Sequence, residues 1–187
     1  MGIENFYQQS FPELNLNKQF HLREQSLEDT ENFFKYYASP EVSQYILAST
    51  PKNTFEAESE IYYCRNLFRQ KQGIYWAIAK RHKNEMVGAI GLYINNFHRR
   101  AELSYDLAKE YWGQGIMSKA IEIVRDYSFD QIGLSRIEAI TMKENLASQR
   151  VLEKNGFKRE GTLRNYKFYE GKPHNIEMFG TIPEDRA

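Results

Sequence analysis

The chain has 187 residues, 41% apolar and 14% aromatic, which suits one domain with a substantial core. Lysine plus arginine total 25 and aspartate plus glutamate 25, a formal balance of zero that argues against a dedicated nucleic-acid binder. A single cysteine, Cys64, excludes an intramolecular disulfide. Met1 to Phe20 lacks the basic start and apolar centre of a secretory signal, and no run approaches the roughly 18 apolar residues of a spanning helix, so a cytoplasmic protein with no membrane partner is expected.

Phe20-His21-Leu22-Arg23-Glu24 alternates apolar and polar side chains and reads as a first strand. Ser26 then stands as a helix N-cap with Asp29 three residues on, and Phe33, Phe34 and Tyr37 share a face; Pro40 is expected to end that helix. Thr54 is a second N-cap candidate, with Phe55, Ile61, Tyr62, Arg65 and Phe68 as a helical stripe that runs toward Gly73. Ile74 to Ala79 and Met86 to Ile94 read as strands of a hairpin turned by His82-Lys83-Asn84. Gly88 and Gly91 interrupt the second of these and point to a bulge or a close backbone approach.

Ala101 to Leu107 alternates again, with Ala101, Leu103, Tyr105 and Leu107 on one side and Glu102, Ser104 and Asp106 on the other. A glycine turn leads into a helix that buries Ile116, Ala120, Ile121, Val124 and Tyr127. Ile137 to Met142 is a strand. Asn145 to Lys154 is a short helix with Asn155-Gly156 as its C-cap. Lys158 to Phe168 and Asn175 to Ile182 form a last hairpin turned by Glu170-Gly171-Lys172-Pro173. The order predicts a mixed α/β domain around one sheet, spanning 1–187 as a single unit.

The glycine turn carries the chemistry. In Tyr111-Trp112-Gly113-Gln114-Gly115-Ile116-Met117-Ser118-Lys119-Ala120, two glycines precede the first turn of a helix. The first helical N–H groups have no partner in the helix, so this is a ready site for a phosphate or pyrophosphate. It misses the dinucleotide fingerprint, which needs the turn in an opening βαβ unit; here it follows an antiparallel series, and a serine takes the third glycine position. It also lacks the spacing of a Walker A loop. A tight turn with no ligand is the remaining local alternative.

A second cluster narrows the choice. Asn145-Leu146-Ala147-Ser148 precedes Val151-Leu152-Glu153-Lys154-Asn155-Gly156-Phe157, and Glu160-Gly161-Thr162-Leu163-Arg164 follows. Together with the glycine turn, this resembles the GNAT superfamily of acyl-CoA-dependent N-acetyltransferases over about Leu22 to Ile182. Within it the likeness is to the branch of ribosomal-protein N-terminal alanine and serine acetyltransferases. The resemblance implies an α/β (α+β) fold: a twisted, mostly antiparallel sheet of about six to seven strands with about four helices and a splayed central cleft.

It also implies acetyl-CoA as co-substrate, no metal, and direct attack by the acceptor amine in a ternary complex. The backbone amides of Gly113, Gln114, Gly115, Ile116, Met117 and Ser118 would hold the pyrophosphate. Backbone groups of Leu103, Tyr105 and Leu107 would hold the pantetheine arm. Asn145 is either a pantetheine contact or an N-cap, or both. Trp112 is expected to pack on the sheet, and Lys119 is either a phosphate partner or a solvated lysine.

Glu102 is the expected base; its alternative is a surface glutamate paired with Arg99 or Arg100. Ser148 matches the serine that this branch uses near the thiolate. The sequence departs from the family at Glu110, where Gln or Arg is common, and at Ser104, where glycine is common. Lys167 stands in place of a glutamate base, and Leu152 in place of a tyrosine acid. Tyr166, Tyr169 and His174 are acceptor-side candidates. The implied acceptor is first a protein N-terminus, then a polyamine, aminoglycoside or amino-acid amine. A non-catalytic acyl-CoA-binding module is the alternative class, and a monomer or a homodimer fits either.

Overall fold

The computed structural model describes residues 3–46 and 48–186. In chain order the elements are α1 (Ile3–Phe6), β1 (Leu14–Asn15), β2 (Phe20–Glu24), α2 (Thr30–Tyr37), α3 (Pro40–Ser43), α4 (Thr54–Arg69), β3 (Gly73–Lys80), β4 (Met86–Asn95), β5 (Arg100–Leu107), α5 (Ile116–Tyr127), β6 (Arg136–Thr141), α6 (Leu146–Lys154), β7 (Lys158–Tyr169) and β8 (Lys172–Thr181). One sheet carries the strands in the order β1-β2-β3-β4-β5-β6-β8-β7. Every neighbouring pair is antiparallel except β5 and β6, which run parallel. The sheet therefore has eight strands rather than six or seven, and there are six α-helices among the described residues rather than four. The additions are the two-residue β1 and the four-residue α1 and α3, each too short to show a period.

Helices cover both faces. On one, α2 and α4 pack Phe33, Tyr36, Ala57, Ile61, Cys64 and Leu67 against Tyr75, Ala77 and Ala89. On the other, α5 and α6 set Ile116, Ala120, Ile121, Val124 and Leu152 against Trp76, Ile90, Leu92 and Leu103. β3 lies between the two layers, and Gly73 to Ala79 are all buried, as a doubly covered strand requires. No helix among the described residues is long and apolar enough to cross a membrane.

Local chemistry explains the starts and stops. Ser26 and Asp29 form a capping box over a 3₁₀ turn, Leu27–Asp29, that leads into α2. α2 stops at Tyr37, so Pro40 does not end it; Pro40 opens α3 in the first helical turn, where its missing N–H costs nothing. The N-cap of α4 is Asn53, not Thr54: Asn53 Oδ1 accepts the Glu56 N–H at 2.9 Å. The inward stripe of α4 is Ala57, Ile61, Cys64 and Leu67, while Phe55 (77% exposed) and Tyr62 (62%) face outward. Small Ala57 and Cys64 let the helix sit close to the sheet, and the larger aromatics misled the sequence reading.

The glycines of β4 mark close approach. A Cβ on Gly91 would stand 2.1 Å from the Tyr75 ring, and one on Gly88 would stand 2.6 Å from the Asp106 carbonyl oxygen.

The functional consequence of this topology lies between β5 and β6. They pair only at Arg100–Arg136, Ala101–Ile137 and Glu102–Glu138. Beyond Glu102, β5 continues to Leu107 paired with β4 alone, and β6 continues to Thr141 paired with β8 alone. The parting strands open a gap in the sheet.

Candidate active site

A cavity of about 960 Å³ runs through that gap. It joins three regions that are far apart in sequence.

At one end is the glycine turn. Gly113 and Gly115 have φ of +72° and +74°, the left-handed region that glycine enters without strain. A Cβ at either position would meet nothing within 4 Å, so the backbone conformation is what requires glycine there. Gly115 is the N-cap of α5 with no side-chain cap, and the first intrahelical bond is donated by Lys119 N–H to Gly115 O at 3.0 Å. The N–H groups of Ile116, Met117 and Ser118 therefore have no intrahelical acceptor. Gly113, Gly115, Ile116, Met117 and Ser118 line the cavity, and Gln114 does not: it turns away, and its Nε2 donates to Glu110 O at 2.8 Å. Trp112 lines the cavity too, exposed at its outer side, with its indole N–H given to Leu107 O at 2.7 Å. Lys119 pairs with Glu122 at 2.8 Å on the solvent side.

The middle is built by β5, β6 and α6. Leu103, Tyr105 and Leu107 line it from β5, and Ala139 and Thr141 from β6, all from the α5-facing side of the sheet. Asn145 caps α6: its Oδ1 accepts the Ser148 N–H at 3.0 Å, which makes the N-cap role of Asn145 concrete. That cap presents Ser148 to the cavity, where its hydroxyl meets the Tyr105 phenol at 2.7 Å. Burial pushes the Tyr105 phenol up to about 12. Leu152 also reaches this wall and is fully buried.

On the α2/α4 side stand Glu102, Ser104 and Asp106. Glu102 pairs with neither candidate cation: Arg100 is bound to Glu138, and Arg99 donates to Gly133 O. No ion pair to Glu102 occurs among the described residues. Ser104, opposite Gly91, hydrogen-bonds the Tyr75 hydroxyl from this α2/α4 side of the sheet.

Asp106 is the functional candidate the sequence reading passed over. Its Oδ1 accepts the Tyr36 hydroxyl at 2.7 Å, and burial lifts its carboxyl to about 7, with the Tyr36 bond and the Ala89 backbone opposing the rise. Glu60 of α4 joins it in the same cavity, its carboxyl also raised by burial. Tyr37, Tyr75 and Tyr93 complete an aromatic lining. Alternation had already set Asp106 on the Glu102 face; what it lacked was the knowledge that α2 and α4 would close over that face. Cys64 is buried, and desolvation holds its thiol well above its usual range, so it is a packing residue.

The last hairpin contributes less than expected. Lys167 lines the cavity mouth, and Tyr166 lines an adjoining hollow of about 310 Å³ together with Gln72, Tyr93, Arg100, Glu102 and Glu138. Tyr169 and His174 face each other instead, His174 Nε2 lying 3.2 Å from Tyr169 O, and neither lines the cavity or the adjoining hollow.

Helix-start amides without an intrahelical acceptor at one end, a strand edge unpaired on its β6 side and hydroxyls in the middle, and carboxyl groups at the other end thus lie along one cavity. The chain belongs to the GNAT acetyltransferase family: residues 19–158 match its acetyltransferase (GNAT) domain. It is 35% identical over 162 residues to the uncharacterized N-acetyltransferase YoaA of Bacillus subtilis, spanning 86% of this chain and 92% of that one. Over 92 residues, 49% of this chain and 50% of the relative, it is 35% identical to the spermidine N(1)-acetyltransferase of Escherichia coli. The solved structure of RimL, a ribosomal L7/L12 alpha-N-protein acetyltransferase, superposes with a TM-score of 0.83 at 19% identity, covering 94% of this chain and 96% of that one. At that identity the likeness is one of fold.

Proposed function

We propose that this protein transfers the acetyl group of acetyl-CoA directly to a primary amine, and that the acceptor is the N-terminal amine of a protein. The observation that carries the reading is the single cavity that leads from the α5 amides, through the gap between β5 and β6, to Glu102. The residues fit the co-substrate. The amides of Ile116, Met117 and Ser118 would hold the pyrophosphate, and the unpaired β5 edge near Leu103 to Leu107 would pair with the pantetheine amides. The bound co-substrate supplies a thioester carbonyl for attack.

Glu102 takes the proton from the amine, directly or through a water. An α-amino group has a pKa of about 8, so a carboxylate at neutral pH suffices as its base, whereas a lysine side chain at about 10.4 demands more. Ser148 donates a hydrogen bond to the charge that develops on sulfur. A protein N-terminus is favoured because Glu102 and Tyr93 line both the cavity and the neighbouring hollow by Tyr166, which offers room beside the base for the residues that follow the amine.

A second reading has its own support. Glu60, Glu102 and Asp106 line the acceptor side and none of them forms an ion pair among the described residues, so a small polycationic amine would supply the missing countercharge. Calorimetry with acetyl-CoA tests the donor; absence of binding at millimolar ligand removes the whole proposal. CoA release measured with peptides bearing N-terminal Ala or Ser, against spermidine, aminoglycosides and free amino acids, decides the acceptor. Turnover with the polyamine alone would replace the first reading by the second. CoA binding without turnover on any amine would instead leave a non-catalytic acyl-CoA module.

A further inference from the structure

Thr141 is 6% exposed, its Oγ1 has no hydrogen-bond partner, and it lines the cavity. A buried hydroxyl without a partner is uncommon, because it has given up water for nothing. Its backbone neighbour across the sheet is Glu177, whose carboxylate is engaged by Arg159 and Thr162. Thr141 shares its sheet face with Ile137 and Ala139 on β6, and parallel pairing of Ala101 with Ile137 puts that face in line with Leu103 and Tyr105. On the same side, Tyr105 meets Ser148 Oγ at 2.7 Å and lies 3.5 Å from the Ser148 carbonyl oxygen. Leu152, the side chain that α6 sends to this wall one helical turn on, has no hydrogen to give.

We propose that Tyr105 and Thr141 complete a hydroxyl cradle for the leaving sulfur, Tyr105 as a positioning residue for Ser148 and Thr141 as a direct contact. This rests on the acetyl-CoA reading above. Tyr105 donates its O–H to Ser148 Oγ, which commits one lone pair of the serine and turns the serine's own hydrogen into the cavity. Thr141 supplies the second donor from β6, on the same side of the sheet as Tyr105. The bookkeeping needs no acid: the amine proton passes to Glu102, the C–S electron pair goes to sulfur, and CoA leaves as a thiolate held by the two hydroxyls, to be protonated by solvent after release. A phenol held at about 12 is suited to donating a hydrogen bond without surrendering its proton.

The cradle predicts a preference for thiolate that binding alone can read. Calorimetry of CoA and desulfo-CoA on the intact protein, from pH 7 to 9.5, isolates the sulfur. Glu41 on α3, Glu60 on α4, Glu102 and Asp106 on β5, Arg150 and Lys154 on α6 and Lys167 on β7 also line the cavity, and the desulfo-CoA reference removes what their charges do to the rest of the ligand. The wild type should favour CoA over desulfo-CoA by about tenfold more at pH 9.5 than at pH 7, since a bond to a charged acceptor is worth about that much. Ser148→Ala, Tyr105→Phe and Thr141→Val should each flatten this rise, and Thr141→Ser, which keeps the hydroxyl, should restore it.

Because Tyr105 acts through Ser148, the Tyr105→Phe/Ser148→Ala pair should be no worse than Ser148→Ala alone, whereas Thr141→Val should add to it. A CoA preference that does not change with pH in the wild type overturns the cradle. Fully additive Tyr105 and Ser148 effects overturn the positioning role. If neither ligand binds, the acetyl-CoA reading itself falls and takes the cradle with it.

Discussion

Glu102 and Asp106 point from the same face of β5, yet their surroundings give them different work. Glu102 stands where β5 and β6 part, beside the proposed place of the thioester, while Asp106 lies buried under α2 and bonded to Tyr36. Glu102→Gln should lower kcat/KM by about 10²–10³, as loss of a positioned base does, with the acetyl-CoA dissociation constant unchanged; steady-state kinetics and calorimetry together read both. For Asp106 the effect is on stability. Its folded pKa of about 7 lies above the unfolded value of about 3.9, so the folded state holds the proton more tightly. Stability from this group is therefore full below pH 4, falls as pH rises from about 4 to 7, and stays low above that. Each tenfold change in acidity is worth about 1.4 kcal/mol, so the penalty above neutrality is on the order of 1–4 kcal/mol. Asp106→Asn keeps an acceptor for Tyr36 and removes the charge; it should raise the melting temperature at pH 8 and leave it nearly unchanged at pH 4.5.

At the scale of elements, the caps were legible in part and the contacts across elements were not. Ser26 and Asp29 read correctly as a capping box, because that signal is local. The same Asp29 also grips Arg23 of β2, Oδ1 and Oδ2 meeting the guanidinium at 2.7 and 2.8 Å, and Arg23 Nε and Nη2 reach Asn84 in the β3–β4 turn. One buried ion pair thus ties β2, the α2 entry and a hairpin turn. Asp29→Ala leaves the Arg23 guanidinium buried without its counter-ion, and should destabilise by about 3–5 kcal/mol in urea unfolding. Thr54 was misread as a cap because Asn53 and Thr54 are both good cap residues, and only the backbone bond to Glu56 chooses between them. The α4 stripe was misread because burial followed Ala57 and Cys64, whose small size matters only once the sheet lies beneath them.

At the scale of the whole molecule, the site spans the two halves of the sheet: β4 and β5 on one side, β6 with its α6 cap on the other. A ligand that bridges them couples its binding to the integrity of the whole sheet. Acetyl-CoA at 100 times its dissociation constant should stabilise by about 2.7 kcal/mol, which for a chain of this length is a rise of about 5–10 °C in melting temperature. Scanning calorimetry with and without the ligand checks it; no shift at saturation would contradict a site that crosses the gap.

The sequence by itself determined the alternation of β5, the glycine turn, the α6 cluster and the family they resemble, because each of these is written in residues close together along the chain. Their assembly was decided only by tertiary structure. β6 had to arrive parallel to β5 and then leave it, α2 and α4 had to close over Asp106 and Glu60, and Thr141 had to be carried into the wall that holds Tyr105 and Ser148. Burial, unpaired donors and shifted acidity are properties of what surrounds a side chain, and those surroundings come from residues far along the chain, 70 positions apart for Tyr36 and Asp106.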